Sequence, residues 1–196
     1  NYGHLKGIET VKKTVKFAIK YRIPVLTFYV FSSENWKRPK KEISYLFKLI
    51  SHYFSEEIES IKKQGIKINI FGEFEKLAKD VKKILKKTIT ITKNNKKILV
   101  NLAISYGSKN EIIRAFKKTK KISFKNFENN LYTKNLPDPD ILIRTGGHQR
   151  LSNFLLWQLA YSELYFMEKL WPDFRVKDYH KIIRHFKKVK RNFGNI

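Results

Sequence analysis

The stretch DPDILIRTGGHQRLSNFLLWQLAYSE, residues 138–163, decides the fold predicted for this chain. Its short apolar run at 141–143 is typical of a strand buried in a parallel sheet. The run delivers Arg144 to a turn at Gly146 and Gly147, and an apolar, helix-like segment follows. Open α/β sheets bind ligands just past the carboxyl ends of their strands, so the sequence predicts a binding site at this turn.

The polar residues around the turn indicate what the site binds. Arg144, Arg150 and Ser152 bring two guanidinium groups and a hydroxyl to the same place. The planar fork of arginine matches a pair of diphosphate oxygens, and glycines let backbone amides approach such an anion closely. Glu163 adds a carboxylate suited to a metal ion. The pattern therefore predicts a diphosphate site with a metal-binding carboxylate nearby.

Three further apolar, β-rich runs have the composition of buried strands. They cover residues 24–31, 66–71 and 98–104. Amphipathic stretches with a helical period lie between the predicted strands. The predicted helices cover 1–21, 41–64, 74–87, 109–121 and 177–193. Strands that alternate with helices predict an α/β fold with a central, mostly parallel sheet flanked by helices, here in one domain, 1–196.

A second set of polar residues follows the first of these strands. Ser32, Asn35, Trp36 and Arg38 lie at the carboxyl end of the strand, where binding residues collect. The simpler alternative is an ordinary loop in which a Ser or Asn caps the next helix. The density of polar residue types and the Trp among them favour a site. His4 by itself is a weak signal, because an exposed helix residue explains it equally well.

The composition excludes several classes of protein. Hydrophobic residues make up 42% of the chain and aromatic residues 14%, which argues against disorder. The absence of cysteine fits a reducing compartment, and we expect a cytoplasmic protein. No apolar run approaches the roughly 18 residues that span a bilayer. The sequence has no P-loop, no zinc-binding spacing and no G-x-S-x-G pattern.

The formal net charge of +25 allows two interpretations. A basic chain can bind nucleic acid or an anionic membrane surface. Alternatively, the composition is simply biased towards lysine, since only 8 of the 42 basic residues are arginine. We favour the second interpretation and expect no nucleic-acid partner, because no recognisable binding motif accompanies the charge. Contact with acidic membrane lipid stays open.

Three runs of sequence resemble the signatures of the cis-prenyltransferase family, most of all its undecaprenyl diphosphate synthase branch. The run RTGG-x-x-R-x-SNFLLWQ-x-AY-x-E-x-YF at 144–166, followed by LWPDF at 170–174, is similar to the C-terminal signature. GH-x-x-G at 3–7 and LTFYVFSSENWKRP at 26–39 are similar to two other motifs. The resemblance covers nearly the whole chain.

The resemblance implies a transferase that condenses an allylic diphosphate, such as farnesyl diphosphate, with successive isopentenyl diphosphates. Each new double bond is cis, and the product is a long polyprenyl diphosphate such as undecaprenyl diphosphate, a lipid-carrier precursor for cell-wall synthesis. The resemblance also implies Mg²⁺ as the cofactor. It implies a homodimer with the segment 165–174 near the interface.

The same resemblance assigns roles to the residues near the C-terminal turn and at the start of the chain. Arg144, Arg150 and Ser152 bind isopentenyl diphosphate, Glu163 helps to place Mg²⁺, and His4 contacts the allylic diphosphate. For His4, the resemblance outweighs the simpler interpretation given above.

The resemblance assigns a second group of roles after the first strand. Ser32, Asn35 and Trp36 are implied as catalytic residues that order the site and assist proton removal from the condensing carbon. Trp36 and Arg38 are implied to bind substrate. Donors placed in advance around the leaving diphosphate stabilise the charge that develops on it.

The growing product needs an apolar tunnel between the sheet and the helices. The candidate tunnel residues are Val30, Leu46, Leu49, Ile50 and Ile98. Ordinary core packing is the alternative for each of them.

The sequence departs from the family pattern in two places. The family opens with a strand and an Asp-Gly-Asn-Gly-Arg-Trp segment, whose Asp is its central Mg²⁺ residue, whereas this sequence begins at Asn1 just after that segment. We therefore expect the 196 residues by themselves to be inactive, and a longer chain with the segment to be active. His148 stands where the family often has Glu, which changes the charge near the metal.

Two alternative functions are kept. One is a non-catalytic accessory subunit with the same fold, although such partners lack the arginine–glycine motif found at 144–147. The other is a basic nucleic-acid-binding protein, which salt-dependent retention on DNA would support.

Overall fold

The computed structural model describes residues 2–192, apart from the side chains of Tyr2 and His4. The helices are α1 Tyr2–Lys20, α2 Lys40–Lys63, α3 Lys79–Thr92, α4 Ser108–Lys118, α5 Phe124–Glu128 and α6 Val176–Phe186. The strands are β1 Val25–Ser32, β2 Ile66–Phe71, β3 Ile98–Tyr106, β4 Ile141–Thr145 and β5 Glu163–Met167. Short 3-10 helices cover Ser33–Lys37, Phe74–Lys76 and Trp171–Asp173.

The described chain forms two compact units. The terminal unit joins the residues up to Phe17 with those from Leu136 onward, and the central unit is Ala18–Asn135. The central unit contains β1, β2 and β3, whereas β4 and β5 belong to the terminal unit. The single domain predicted for 1–196 stays a prediction.

The central unit is built on a parallel sheet with the strand order β1-β3-β2. β3 lies in the middle and is buried along its length, with Leu99 alone half-buried. Its apolar run suits this position, because a central parallel strand is covered on both faces. Helices α2 and α3 pack against β2 and against each other. The prediction of an α/β fold with parallel strands flanked by helices is confirmed.

The terminal unit pairs β4 and β5 in parallel and packs α1 against α6. The Thr14 hydroxyl lies 2.6 Å from the Tyr179 hydroxyl, and the rings of Phe17 and Tyr179 stack 4.9 Å apart. The indole N–H of Trp171 donates to the Gly7 carbonyl at 3.0 Å. The second glycine of the GH-x-x-G run thus lies against the aromatic turn of the LWPDF run.

The helix-like segment predicted after the Arg144 turn is not a helix, and this prediction was wrong. Residues 151–162 form successive turns. Ser152, Asn153 and Leu155 have φ values of 48°, 62° and 44°, a left-handed conformation that interrupts a right-handed helix. Phe154, Leu155 and Leu159 are buried, so the apolar spacing reflects burial in the terminal unit and not helix formation.

Three helix boundaries also differ from the predictions, and one of these is the end of α4, which lies at Lys118 instead of residue 121. The helix predicted at 74–87 consists of the 3-10 helix Phe74–Lys76 and then α3, which starts at Lys79. The helix predicted at 177–193 ends at Phe186, and residue 193 lies outside the described residues. After Phe186 the N–H groups of Lys188 and Val189 donate to carbonyls three residues back, at 2.9 Å and 3.1 Å, and this tighter turn ends the α-helix. Within residues 2–192, no helix is both long enough and apolar enough to cross a bilayer.

Asp178 is a buried carboxylate in the first turn of α6, with 7% of its surface exposed. It accepts hydrogen bonds from Lys169 Nζ at 2.6 Å and from the Arg175 backbone N–H at 2.9 Å. Burial alone would raise the pKa of Asp178, but these hydrogen bonds and the charge of Lys169 lower it on balance. The folded state therefore holds the ionised form more tightly than the unfolded chain does.

We expect Asp178→Asn to lower the free energy of unfolding at pH 7 by about 1–3 kcal/mol, because a buried charge-assisted pair is weakened. The carboxylate stabilises the fold above its unfolded pKa of about 3.9, and this contribution is lost as the pH falls through the lower folded pKa. The difference between wild type and variant should therefore shrink below about pH 4. Urea denaturation at pH 7 and pH 3 measures it, with the exposed Asp173→Asn as the control. A difference independent of pH would contradict this assignment.

Candidate active site

The structure brings Arg144, Arg150 and Ser152 together in the terminal unit. Arg144 is the penultimate residue of β4, and its Nη1 donates to Ser152 Oγ at 2.7 Å. The same Nη1 donates to the backbone carbonyl of Arg150. The left-handed backbone at Ser152 turns the chain back so that its hydroxyl reaches the guanidinium. We call these three residues the arginine–serine cluster.

The electrostatics of the arginine–serine cluster favour an anionic ligand. Arg150 and Ser152 are exposed and Arg144 is half-buried. Burial lowers the pKa of Arg144, and the positive charge of Arg150 lowers it further. Arginine stays protonated in proteins, so the two guanidinium groups repel each other. A bound diphosphate would relieve this repulsion and accept hydrogen bonds from both.

The two glycines of the turn have a different role from the predicted one. The Gly146 N–H donates to the Lys169 carbonyl at 2.8 Å, and the Gly147 N–H donates to the Met167 carbonyl at 3.0 Å. These amides continue the pairing of β4 with the end of β5, so they are not available to an anion. The φ of Gly147 is 73°, and a Cβ there would lie 2.9 Å from Glu168 Oε2. The prediction that glycine amides bind the anion was therefore wrong.

Glu163 does not lie beside the arginine–serine cluster of its own chain. It is the first residue of β5 and pairs with Ile141, three residues before Arg144. Three residues of strand correspond to roughly 10 Å, and an odd spacing places the two side chains on opposite faces. The prediction of a carboxylate adjacent to the two arginines is thus not met by Glu163. Glu168, which contacts the Gly147 turn, is the acidic side chain that lies against it.

A second polar cluster follows β1 in the central unit. Ser32 Oγ accepts a hydrogen bond from the Asn35 backbone N–H at 3.2 Å, and Asn35 Oδ1 accepts one from the Ser32 backbone N–H at 3.0 Å. This reciprocal cap starts the 3-10 helix Ser33–Lys37 and fixes both side chains. The simpler alternative, a loop in which a Ser or Asn caps a helix, predicted this cap. The cap uses Asn35 Oδ1 and leaves Asn35 Nδ2 without a hydrogen-bond partner among the described residues. The amide can therefore donate to a ligand.

Trp36 is held in a closely packed aromatic site. Its ring stacks on Phe47 at 5.7 Å and meets Phe31 edge-on at 5.1 Å. Its indole N–H donates to Ser105 Oγ at 2.9 Å. Arg38 lies at the surface and pairs with Glu42 at 3.0 Å, one helical turn further along. An exposed pair of this kind contributes little to stability, so the Arg38 guanidinium can exchange Glu42 for an anionic ligand.

Ser105 is a site residue that sequence reasoning missed. It is completely buried at the carboxyl end of β3, and its φ of 53° is unusual for a residue with a side chain. Its carbonyl accepts from the Glu73 N–H at 3.0 Å while its hydroxyl accepts from Trp36. A polar residue at the end of a buried strand was the available signal. Its partner lies 69 residues away, and nothing in the sequence indicates that pairing.

We expect Ser105→Gly to release the Trp36 indole while leaving the fold intact, because glycine accepts the left-handed backbone without strain. In proton–nitrogen NMR spectra, the Trp36 indole N–H resonance should move upfield and exchange with water at least about tenfold faster, since it loses its acceptor. Assignment uses Trp36→Phe, and the Trp157 and Trp171 indole signals serve as internal controls. An unchanged Trp36 signal would show that Ser105 does not hold the ring.

The candidate tunnel residues lie in the central unit, on β1, α2 and β3. Val30 lies at a bulge in β1, where the register with β3 shifts. Ile98 starts β3 one residue before the level of Val25, roughly 20 Å along the strands from Val30. Leu46, Leu49 and Ile50 lie on α2, and of these three Ile50 is buried. Their role in a tunnel stays a prediction.

The remaining predicted residues are placed as follows. The side chain of His4 lies outside the described residues, and its backbone belongs to α1. His148 is exposed next to the glycine turn. Across residues 2–192, the side chains described include no group of three or more His, Asp or Glu arranged to hold a metal ion.

Parallel strands that end in an arginine–serine cluster and in a Ser–Asn–Trp cluster fit an enzyme acting on a diphosphate substrate. A family model described as a putative undecaprenyl diphosphate synthase matches residues 1–194. The isoprenyl transferase of Rickettsia typhi is 42% identical over 197 residues, which cover 98% of this chain and 87% of the relative. The isoprenyl transferase of Aquifex pyrophilus is 41% identical over 99% of this chain and 86% of its own length.

Solved structures give the same result. A probable undecaprenyl diphosphate synthase from Campylobacter jejuni has a TM-score of 0.88 at 36% identity, over 97% of this chain and 92% of its own. Lavandulyl diphosphate synthase from Lavandula x intermedia, in complex with dimethylallyl diphosphate, has a TM-score of 0.92 at 28% identity, over 98% of this chain and 88% of its own. The chain is therefore a prenyltransferase by class. It belongs to the undecaprenyl diphosphate synthase family.

Proposed function

We propose that this prenyltransferase extends farnesyl diphosphate with isopentenyl diphosphate units, each added in cis, to form a long polyprenyl diphosphate such as undecaprenyl diphosphate. The observation that carries the proposal is the arginine–serine cluster, where two guanidinium groups and a hydroxyl meet after β4. Family membership supports the reaction type. The proposed product is the precursor of a lipid carrier.

In this proposal, the arginine–serine cluster binds the diphosphate of isopentenyl diphosphate. Arg144 and Arg150 each offer a planar pair of N–H donors, and Ser152 adds a hydroxyl. Arg144 is fixed by Ser152 and by the Arg150 carbonyl before the ligand arrives, so little side-chain entropy is lost on binding. The two positive charges hold this diphosphate in place while the reaction occurs at the other end of the molecule.

The Ser32–Asn35–Trp36 cluster is proposed to act on the allylic diphosphate. The double-bond electrons of isopentenyl diphosphate form the new carbon–carbon bond as the allylic carbon–oxygen bond breaks and diphosphate leaves. The Asn35 amide, fixed by its cap with Ser32, donates to the leaving oxygens. The cation left at carbon 3 of the isopentenyl unit then loses a proton from carbon 2, which forms the new double bond, and the departing diphosphate accepts this proton. Trp36 and the Arg38 guanidinium position this substrate. Family membership supports the separate proposal that His4 contacts an allylic diphosphate.

Mg²⁺ fits this proposal through the chemistry of its ligands. Mg²⁺ prefers oxygen and is usually held by one or two carboxylates together with substrate phosphates. Glu163 is half-buried, and its carboxylate forms no ion pair with another described residue, so it is the proposed protein ligand. When bound, the metal neutralises charge on the leaving diphosphate.

The test is incorporation of radiolabelled isopentenyl diphosphate into lipid-extractable product, with farnesyl diphosphate and Mg²⁺, by the full-length protein. We expect incorporation that needs both substrates, and chromatography of the product then gives its chain length. Absence of incorporation by the full-length protein alone, with activity restored by a second subunit, would replace this proposal with the accessory-subunit function.

The protein is further proposed to be a cytoplasmic homodimer. In the terminal unit, Leu164 and Leu170 are 44% and 61% exposed, close to the segment 165–174. Exposed apolar side chains at this density are typical of an interface between copies. Light scattering should give the mass of two chains, and Leu164→Lys with Leu170→Lys should give one. Val176→Lys, at a similarly exposed position of the same unit, serves as the control, and a mass unaffected by the double change would contradict this interface.

A further inference from the structure

The segment 109–125 exposes apolar side chains on the surface of the central unit. Ile113 and Phe116, on α4, are each 56% exposed. Ile122 and Phe124, where the chain passes from α4 to α5, are 78% and 77% exposed. Single exposed apolar residues are ordinary, but four exposed apolar residues in one short segment indicate an interaction surface.

Helix α4 has one buried side and one exposed side. Ser108, Glu111 and Ala115 are buried on its inner side. Ile113 projects from the opposite side and Phe116 from the flank next to it, because a helix turns about 100° per residue. The exposed apolar pair is therefore not a part of the core, and its exposure follows from the orientation of α4.

Lysines accompany the apolar residues along the whole segment. The exposed basic residues are Lys109, Lys117, Lys118, Lys120, Lys121 and Lys125. The segment's carboxylate, Glu111, is buried and accepts hydrogen bonds from the Tyr106 hydroxyl at 2.5 Å and the Tyr132 N–H at 2.6 Å. It is thus engaged in the interior and does not neutralise the lysines at the surface.

The surface is held in shape by hydrogen bonds between α4 and the chain after α5. Arg114 Nη2 donates to the Asn130 carbonyl at 2.6 Å, and Asn130 Nδ2 donates to Thr119 Oγ1 at 3.3 Å. Asn126 Nδ2 donates to the Lys121 carbonyl at 2.9 Å. The connection that carries Ile122 is therefore fixed at both ends and presents its side chains without refolding.

We propose that this lysine–apolar patch, Ile113, Phe116, Ile122 and Phe124 with the six lysines, docks the protein on an anionic lipid bilayer. Apolar side chains enter the boundary below the headgroups, and lysine ammonium groups stay at the lipid phosphates. A second copy of the chain is a poor occupant of this patch, because the patch of each copy carries the same six lysines. The patch lies outside the residues assigned to diphosphate binding, so the docking is a separate activity.

Sedimentation with lipid vesicles tests the proposal on the full-length protein. We expect binding to phosphatidylcholine vesicles that contain phosphatidylglycerol, and little binding to pure phosphatidylcholine. Lys120→Glu with Lys121→Glu should weaken binding at least about 20-fold, since each lysine near an anionic surface contributes about fivefold. Ile122→Ser with Phe124→Ser should weaken it more than about tenfold through lost apolar insertion.

Two control variants separate the effect of the patch on vesicle binding from the effects of overall charge and overall hydrophobicity. Lys86→Glu with Lys87→Glu makes the same charge change on the exposed side of α3, and Tyr21→Ser removes an exposed ring elsewhere in the central unit. The vesicle affinity of both variants should be within about threefold of that of wild type. For the lysine control, the reason is that charges beyond a Debye length from the membrane are screened. All four variants should keep isopentenyl incorporation in the absence of vesicles, which separates docking from the proposed reaction.

Three results would overturn the proposal. Equal binding to charged and uncharged vesicles would remove the role of the lysines. Equal weakening by the control and patch lysine changes would show non-specific attraction. Loss of vesicle binding by the lysine variant alone, with the serine variant unaffected, would show adsorption by charge without insertion of the apolar side chains.

Discussion

Arg144→Ala should lower kcat/KM for isopentenyl diphosphate in the full-length protein by about 100-fold, on the order of 3 kcal/mol. The guanidinium is the half-buried centre of the arginine–serine cluster, and its removal leaves only Arg150 and Ser152 to bind the diphosphate. Most of the loss should appear as a higher KM for isopentenyl diphosphate, while the KM for farnesyl diphosphate changes little.

Two further variants show whether the arginine fork or only the charge matters. Arg144→Lys keeps the charge but loses the paired donors, so it should recover part of the activity and not all of it. Arg184→Ala removes an exposed arginine from α6 and should leave both KM values unchanged. Thermal unfolding verifies that Arg144→Ala is folded. An unchanged KM and kcat in folded Arg144→Ala would remove this residue from the substrate site.

The largest effect on stability is expected for Gly72→Ala. Gly72 directly follows β2 and has a φ of 133°, and a Cβ built there lies 1.9 Å from the Ile104 carbonyl oxygen of β3. Backbone atoms of the central strand cannot move aside without breaking the sheet. We expect the free energy of unfolding to fall by about 3–5 kcal/mol, a large part of the stability of an ordinary domain. Urea denaturation followed by circular dichroism measures it.

Gly146→Ala is the matched control for Gly72→Ala. Gly146 also has a positive φ, 92°, but a Cβ there has no neighbour within 4 Å. Only the backbone preference is lost, which costs about 1–2 kcal/mol. If the two substitutions lowered the free energy of unfolding by similar amounts, the contact with Ile104 would not be the cause of the destabilisation in Gly72→Ala. The same Gly72 variant should also disturb the Trp36 indole signal, because the Ser105 carbonyl accepts from the residue after Gly72.

The sequence alone determined the strands and the arginine–serine cluster, since both depend on residues close together in the chain. The apolar, β-rich runs predicted as strands at 24–31, 66–71 and 98–104 correspond to β1, β2 and β3. Arg144 and Ser152 are eight residues apart, so one turn after one strand is enough to join them. The cap between Ser32 and Asn35 is likewise local.

Only the tertiary structure decided the features that depend on register and on distant packing. Glu163 is separated from Arg144 because parallel pairing sets it opposite Ile141, and apolar periodicity carries no information on register. The segment 151–162 has helical spacing but forms turns, because its apolar residues are buried through left-handed backbone at Ser152 and Asn153. Ser105 holds Trp36 from 69 residues away, since two strand ends meet only once the sheet has formed. Local sequence fixes which residues are buried and which strands form, whereas pairing across the sheet fixes which side chains meet.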